Sequence, residues 1–227
     1  MLRIALLCCL LCFSVSAKSA AEAYNRVDFR VEAAREVAND LLVASMSADI
    51  QDELPARVAQ QLNTALNDAF RKAATFSTVK ARSGNQHTYP VYGKKNQITA
   101  WHGHGEIRLE SRDSEAAGQL IMLLQATLQL GSVQFMVAPD TRLQVENSLI
   151  ADAIKAFQNR AEAIRTAVGA KSYKTVHFAI SSDDIPPHYP VAMMRSAAVA
   201  DNAIPAPEFA SGDSRITVQI SGTIELQ

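Results

Sequence analysis

The distribution of cysteine is the feature that most restricts how this chain can fold. All three cysteines lie within the first twelve residues, at Cys8, Cys9 and Cys12. If that segment is removed, the remaining chain has no thiol, no disulfide and no cysteine ligand for a metal. Thiol catalysis, thioredoxin-like redox chemistry and zinc-finger architecture are then excluded.

The N-terminal segment is typical of a secretory signal peptide, which we predict to cover residues 1–17. It has a positive charge near its start, a largely apolar run over residues 4–15 and small residues just before Lys18. The apolar run is too short to span a bilayer, which takes about 20 residues. Lipid attachment to a cysteine is an alternative. It generally requires a small residue before the modified cysteine, but leucine precedes both Cys8 and Cys12. We therefore expect an exported, periplasmic protein, either free or associated with the outer membrane.

The length and charge of the mature chain exclude further classes of protein. Removal of the signal peptide leaves 210 of the 227 residues, enough to bury roughly 70% of the unfolded surface without disulfides. Arg3 is one of the 22 basic residues, so 21 basic residues remain against 23 acidic ones. This near balance lacks the electrostatic signature of a nucleic-acid-binding protein. We also expect no transmembrane span in the mature chain.

The hydrophobic pattern predicts an α+β fold, a largely antiparallel sheet with about three helices packed on it. Apolar and polar residues alternate as in half-buried strands, and apolar residues at a spacing of four indicate amphipathic helices. The predicted strands are 27–32, 41–48, 78–81 with 88–92, 97–111, 132–137, 173–180 and 216–226. The predicted helices are 53–74, one that opens at 113 and stops at 131, and 140–168. We predict one composite domain over residues 18–227, with a long proline-containing loop at 181–214.

Scattered residues and the order of these elements carry a family resemblance over about residues 24–227. They are an early strand pair followed by an Ala- and Leu-rich helix, the hairpin sequence Tyr89-Pro90-Val91-Tyr92, the strand Gly105-Glu106-Ile107-Arg108-Leu109-Glu110-Ser111, the pair Pro139-Asp140 before a long helix, and the terminal Arg215-Ile216-Thr217-Val218-Gln219-Ile220. In these features the chain resembles the SIMPL-domain family, which has many secreted members in Gram-negative bacteria.

The resemblance implies an α+β protein of the periplasm or cell envelope. It also implies a link to oxidative-stress defence and a tendency to form oligomers, so the expected partners are copies of the same chain and envelope proteins. The family has no established catalytic residues, so no site can be transferred from it.

The strongest local candidate for a binding site is the sequence around His102, His104 and Glu106. On a strand these three side chains project to one face, where imidazole and carboxylate groups could share a metal such as zinc or copper. The alternative is an exposed polar strand face that Arg108 and Glu110 continue. Gly103 and Gly105, which alternate with these residues, suggest a bend or a close approach of the backbone.

Sequence signatures of catalysis are missing elsewhere in the chain. No serine lies in a Gly-x-Ser-x-Gly elbow, and no Gly-x-Gly-x-x-Gly loop follows a strand. We predict no catalytic residue and no cofactor. The leading hypothesis is a non-enzymatic exported protein that self-associates or binds envelope partners through strand edges and the 181–214 loop. The alternative is a periplasmic stress protein that binds a metal or small ligand through His102, His104 and Glu106.

Overall fold

The computed structural model describes residues 24–182 and 211–227. The signal peptide predicted at 1–17 and most of the loop predicted at 181–214 lie outside the described residues. The elements are β1 Arg26–Ala38, β2 Leu41–Asp52, α1 Pro55–Ala73, β3 Val79–Tyr92, β4 Ile98–Ser111, α2 Ser114–Leu124, β5 Gln129–Met136, α3 Pro139–Ala167, β6 Tyr173–Ser182 and β7 Asp213–Leu226.

The predicted α+β class is confirmed, but the strands form two antiparallel sheets rather than one. One sheet has the order β3-β4-β2-β5, and the other has the order β1-β7-β6. The first two strands, predicted as neighbours along the chain, therefore belong to different sheets. The two-residue connection explains why β1 and β2 do not pair. It does not close a hairpin, because its side chains form hydrogen bonds with other parts of the chain.

The connection consists of Asn39 and Asp40. The buried Asn39 amide donates to the carbonyl of Ser211 at 2.8 Å and accepts from the Ser214 hydroxyl at 2.6 Å. Asp40 accepts from the backbone N–H of Ala138, also at 2.6 Å. The chain is thus bound to β7 on one side and to the start of α3 on the other, and this directs β2 away from β1.

The four-stranded sheet is covered on one face by α1 and α2. Its core contains alternate residues of the two central strands and the apolar stripe of each helix: Leu42, Ala44, Met46 and Ala48 of β2, Ile107 and Leu109 of β4, Leu62, Leu66 and Ala69 of α1, and Leu120, Ile121 and Leu124 of α2. The sequence of α2 is apolar nearly all round, which predicts a helix covered on both sides, but its outer surface exposes Met122 and Leu123. Among the described residues, α2 packs against β4, β2 and α1 on its inner side, and its outer side lies at the surface.

The three-stranded sheet has a second core beneath α3. Leu149, Ala153, Phe157 and Ala161 of the helix pack on Ile216, Val218, Ile220 and Ile224 of β7. The ring of Phe157 stacks on Phe29 of β1 at a centroid distance of 4.5 Å. Each sheet therefore has its own hydrophobic core, and the prediction of a single composite domain remains a prediction.

Some predicted boundaries differ from those observed. β3 runs without interruption through residues 82–87, which separate the two predicted strands, because a register shift between Ser83 and Gln86 absorbs one extra residue as a bulge. α2 ends at Leu124, before Gly131, which lies in β5. By contrast, Gly169 follows α3 at φ +72°, as expected of a C-terminal stop.

Candidate functional site

The three predicted ligand residues lie together on the solvent side of the four-stranded sheet, opposite α1 and α2. This side is called the open face below. Within it, Nε2 of His104 lies 3.2 Å from Oε1 of Glu106. His102 and His104 both contact one carboxylate oxygen of Asp49, which comes from the neighbouring strand. The prediction that His102, His104 and Glu106 share one face of β4 is confirmed.

Asp49 is the member of this group that sequence reasoning missed. It stands directly opposite His104 in the pairing of β2 with β4. Its Oδ1 lies 3.0 Å from Nε2 of His102 and 2.9 Å from Nδ1 of His104. The polar alternation of Ser45, Ser47 and Asp49 indicates an outward face. The pairing of β2 with β4, which brings Asp49 to the histidines, cannot be predicted from the sequence of either strand alone.

Two further rings from β3 complete the group. His87 is paired with His104 and Tyr89 with His102. The ring centroids of His87 and His104 are 5.1 Å apart, and those of Tyr89 and His102 are 4.9 Å apart. Together, Asp49, His87, Tyr89, His102, His104 and Glu106 form a surface layer that spans three strands, which we call the histidine cluster.

Hydrogen bonding favours the charged forms of His104 and Asp49. A carboxylate can only accept hydrogen bonds, so each ring nitrogen that contacts one must carry a proton. The hydrogen bonds to Asp49 and then to Glu106 raise the pKa of His104 above its usual 6.5. The hydrogen bond from His104 is the main cause that lowers the pKa of Asp49. His104 with both nitrogens donating is an imidazolium held between two carboxylates.

The other side of the same strand explains the glycines. A Cβ at Gly103 would lie 2.3 Å from Cγ1 of Val58, and one at Gly105 would lie 2.9 Å from Cδ1 of Leu66. These glycines let α1 lie directly on β4, so the close backbone approach expected from the sequence is confirmed. Because the glycines face α1, His102, His104 and Glu106 at the alternate positions lie on the open face.

A metal at this position would have to replace existing hydrogen bonds, because both ring nitrogens of His104 contact carboxylates. In the part of the chain that the structure describes, no group of three His, Cys, Asp or Glu side chains is arranged to hold a metal ion. The metal site proposed at His102, His104 and Glu106 remains a prediction.

A cleft of about 740 Å³ lies between the end of the four-stranded sheet and the start of α3. Lys80, Arg82 and Arg112 line it, but so do Glu110, Asp113 and Asp140. Arg112 forms ion pairs with Asp40 and Asp140, and Arg82 lies 3.9 Å from Glu110. The cleft thus has no net excess of positive charge, and the ion pair of Arg112 with Asp140 joins the end of β4 to the start of α3.

Edge strands are the second feature that could bind a partner. Among the strands of residues 24–182 and 211–227, the edges are β3 and β5 in one sheet and β1 and β6 in the other. β6 is exposed along nearly its whole length and carries three large apolar side chains, Val176, Phe178 and Ile180, that are 41–47% exposed. Such a strand presents unpaired backbone groups together with apolar surface.

Comparison with known proteins gave one family. The family model described as SIMPL, protein of unknown function (DUF541), matches residues 27–224. A search among curated proteins gave no match. Among the helices in residues 24–182 and 211–227, none combines the length and apolar character that a membrane span requires.

Proposed function

The chain belongs to the SIMPL family, and on this basis we propose that it is a non-enzymatic exported protein of the cell envelope that acts by binding copies of itself or envelope partners. The observation that carries this proposal is the exposed edge strand β6 with its half-exposed Phe178 and Ile180. An extended segment that pairs with such an edge gains main-chain hydrogen bonds, and neighbouring apolar side chains add affinity.

Export is supported by the signal-peptide pattern of residues 1–17. A contribution to oxidative-stress defence enters the proposal through the family resemblance alone. The non-enzymatic part of the proposal rests on the family resemblance, which offers no established catalytic residue.

The proposal is tested by native mass and by location. The protein is expressed with its leader, fractionated, and its N-terminus is read by mass spectrometry, with Lys18 expected as the first residue. Light scattering on a sizing column then gives the native mass over a concentration series, and crosslinking in envelope extracts tests for partners. A strictly monomeric protein that crosslinks to nothing would contradict the proposal.

The alternative function, binding of a metal or small ligand, is favoured by the observation that His102, His104 and Glu106 do converge on one face. Metal analysis of protein purified without a histidine tag separates the two. A stoichiometric metal that disappears in the His102→Ala, His104→Ala variant would support the alternative, and a metal-free wild type would count against it.

A further inference from the structure

The four edge strands differ in how well they are protected against pairing with another chain. β1 carries six charged residues, and β3 carries Lys80, Arg82, Pro90 and a bulge. Charges, proline and bulges are the devices that keep natural sheet edges from pairing. β5 is uncharged, but its apolar side chains Leu130, Val133 and Phe135 already pack against a core.

β6 is the least protected edge in the stretch that follows its register shift. A register shift lies between Thr175 and His177, and the strand is regular from His177 to Ser182. This stretch contains no proline, and its only ionisable side chain is that of His177. Phe178 and Ile180, two residues apart, point to the side of α3, where the ring of Phe178 lies 6.0 Å from that of Phe157. Apolar side chains that a second chain brings to this edge would therefore extend the core beneath α3.

Symmetry limits how two copies of β6 can pair. Antiparallel pairing about a two-fold axis perpendicular to the sheet brings residues of the same face opposite each other. With Ala179 on the axis, Phe178 of each copy faces Ile180 of the other, and His177 faces Ser181. Aromatic and β-branched residues are favourable cross-strand partners, and no like charges meet. This register also leaves the bulge outside the paired segment.

We propose that β6 pairs antiparallel with β6 of a second copy, with Ala179 on the two-fold axis, so that two three-stranded sheets become one six-stranded sheet. This inference rests on the proposed self-association and names its surface. Both copies of α3 then lie on the same face, with the Phe178 and Ile180 side chains of the two chains between them. Because a short strand pair buries less than the roughly 1,200–2,000 Å² of a stable interface, the dimer is expected to depend on protein concentration.

Cysteine crosslinking tests the register directly. In the full chain with Cys8, Cys9 and Cys12 replaced by serine, Ala179→Cys places two thiols directly opposite each other. Residues so placed are about 4.5–5.5 Å apart between Cα atoms, a distance at which a disulfide forms. Ser181→Cys is the matched control, since its two copies are four residues out of register, about 13 Å apart. We expect mild oxidation to give a covalent dimer of the Ala179→Cys variant and none of the Ser181→Cys variant.

A charge at the axis tests the same contact without oxidation. Ala179→Lys brings two lysines face to face and should raise the dimer dissociation constant at least tenfold, as measured by sedimentation. Ala34→Lys, at an exposed position on the already charged edge strand β1, should leave it unchanged. Circular dichroism checks that both variants are folded.

The outcomes separate this inference from the proposed function. If the wild type self-associates while Ala179→Lys has no effect and Ala179→Cys does not crosslink, the β6 contact is wrong and self-association stands. A wild type that remains monomeric at every concentration overturns the β6 contact and self-association, and the proposed function then depends on whether the protein crosslinks to envelope partners.

Discussion

The contact between α1 and β4 at Gly103 leads to a sharp stability prediction for Gly103→Ala. The new methyl group would lie 2.3 Å from Cγ1 of Val58, whereas contacts below 3.0 Å are essentially never seen. Val58 is fully buried, and a β-branched side chain on a helix has one strongly preferred rotamer. The side chain cannot turn away, so the helix must move outward by roughly 1 Å.

The expected cost follows from the effect of overpacking. An extra methyl group in a well-packed core costs about 1–3 kcal/mol, and the severity of this overlap places Gly103→Ala at about 2–3 kcal/mol. Gly105→Ala should cost less, about 1 kcal/mol, because its Cβ meets the ends of Leu66 and Leu62 at 2.9 and 3.1 Å, and leucine tips can give way. Gly118→Ala, in α2 with nothing within 4 Å, should instead stabilise by about 0.5–1 kcal/mol.

Thermal and urea denaturation measure this order. For a chain of this size, a loss of 2–3 kcal/mol lowers Tm by roughly 5–10 °C. Far-UV circular dichroism follows the whole fold, while fluorescence of Trp101, the sole tryptophan, follows β4. A Val58→Ala background should reduce the cost of Gly103→Ala by about 1 kcal/mol or more, since the clashing methyl is gone. A Gly103→Ala variant that melts within 1 °C of wild type would refute the reasoning, as would the absence of coupling to Val58.

Three further predictions concern the other half of the fold, each measured by denaturation. Asp40→Ala should cost about 1–2 kcal/mol, because Asp40 caps α3 by accepting from the Ala138 N–H and the Thr141 hydroxyl. Burial raises the pKa of Asp40, but these hydrogen bonds lower it overall. The stability advantage over Asp40→Asn should therefore be present above pH 3.8 and be lost as the pH falls through the folded-state pKa; an advantage that grows on acidification would contradict this. Phe157→Ala should cost about 3–5 kcal/mol, since its ring is buried between two sheet residues. Gly169→Ala should cost about 1 kcal/mol, because φ is +72°, and an unchanged Tm would count against that account.

Local pattern predicted the elements well where one segment contains the whole signal. The alternation in β1 and β7 and the spacing of four in α1 describe which side of each element is buried, and the buried Val58, Leu62 and Leu66 lie on the predicted stripe. The glycines of β4 also correctly predicted a close approach of the backbone, which is the contact with α1.

Pairing between distant segments could not be predicted in the same way. The alternation of β1 fits any sheet, so it does not reveal that its neighbour is β7 rather than β2. For the same reason the histidines of β4 were found from sequence, while Asp49 was not. The start of α3 is a further example, because the carboxylate that accepts from the Ala138 N–H belongs to Asp40, 98 residues earlier in the chain.

The pairing of β1 with β7 has a consequence for the order in which the chain can fold. Arg26 meets Glu225 across a separation of 199 residues, whereas the four-stranded sheet and its two helices are drawn entirely from residues 41–136. Contacts between distant residues form late because loop closure is costly. During synthesis the N-terminus emerges first. The four-stranded sheet can therefore form before β7, the neighbour of β1, has been made. Loss of the last strand would leave both β1 and β6 without a partner, yet would leave the core of residues 41–136 with all of its strands and helices.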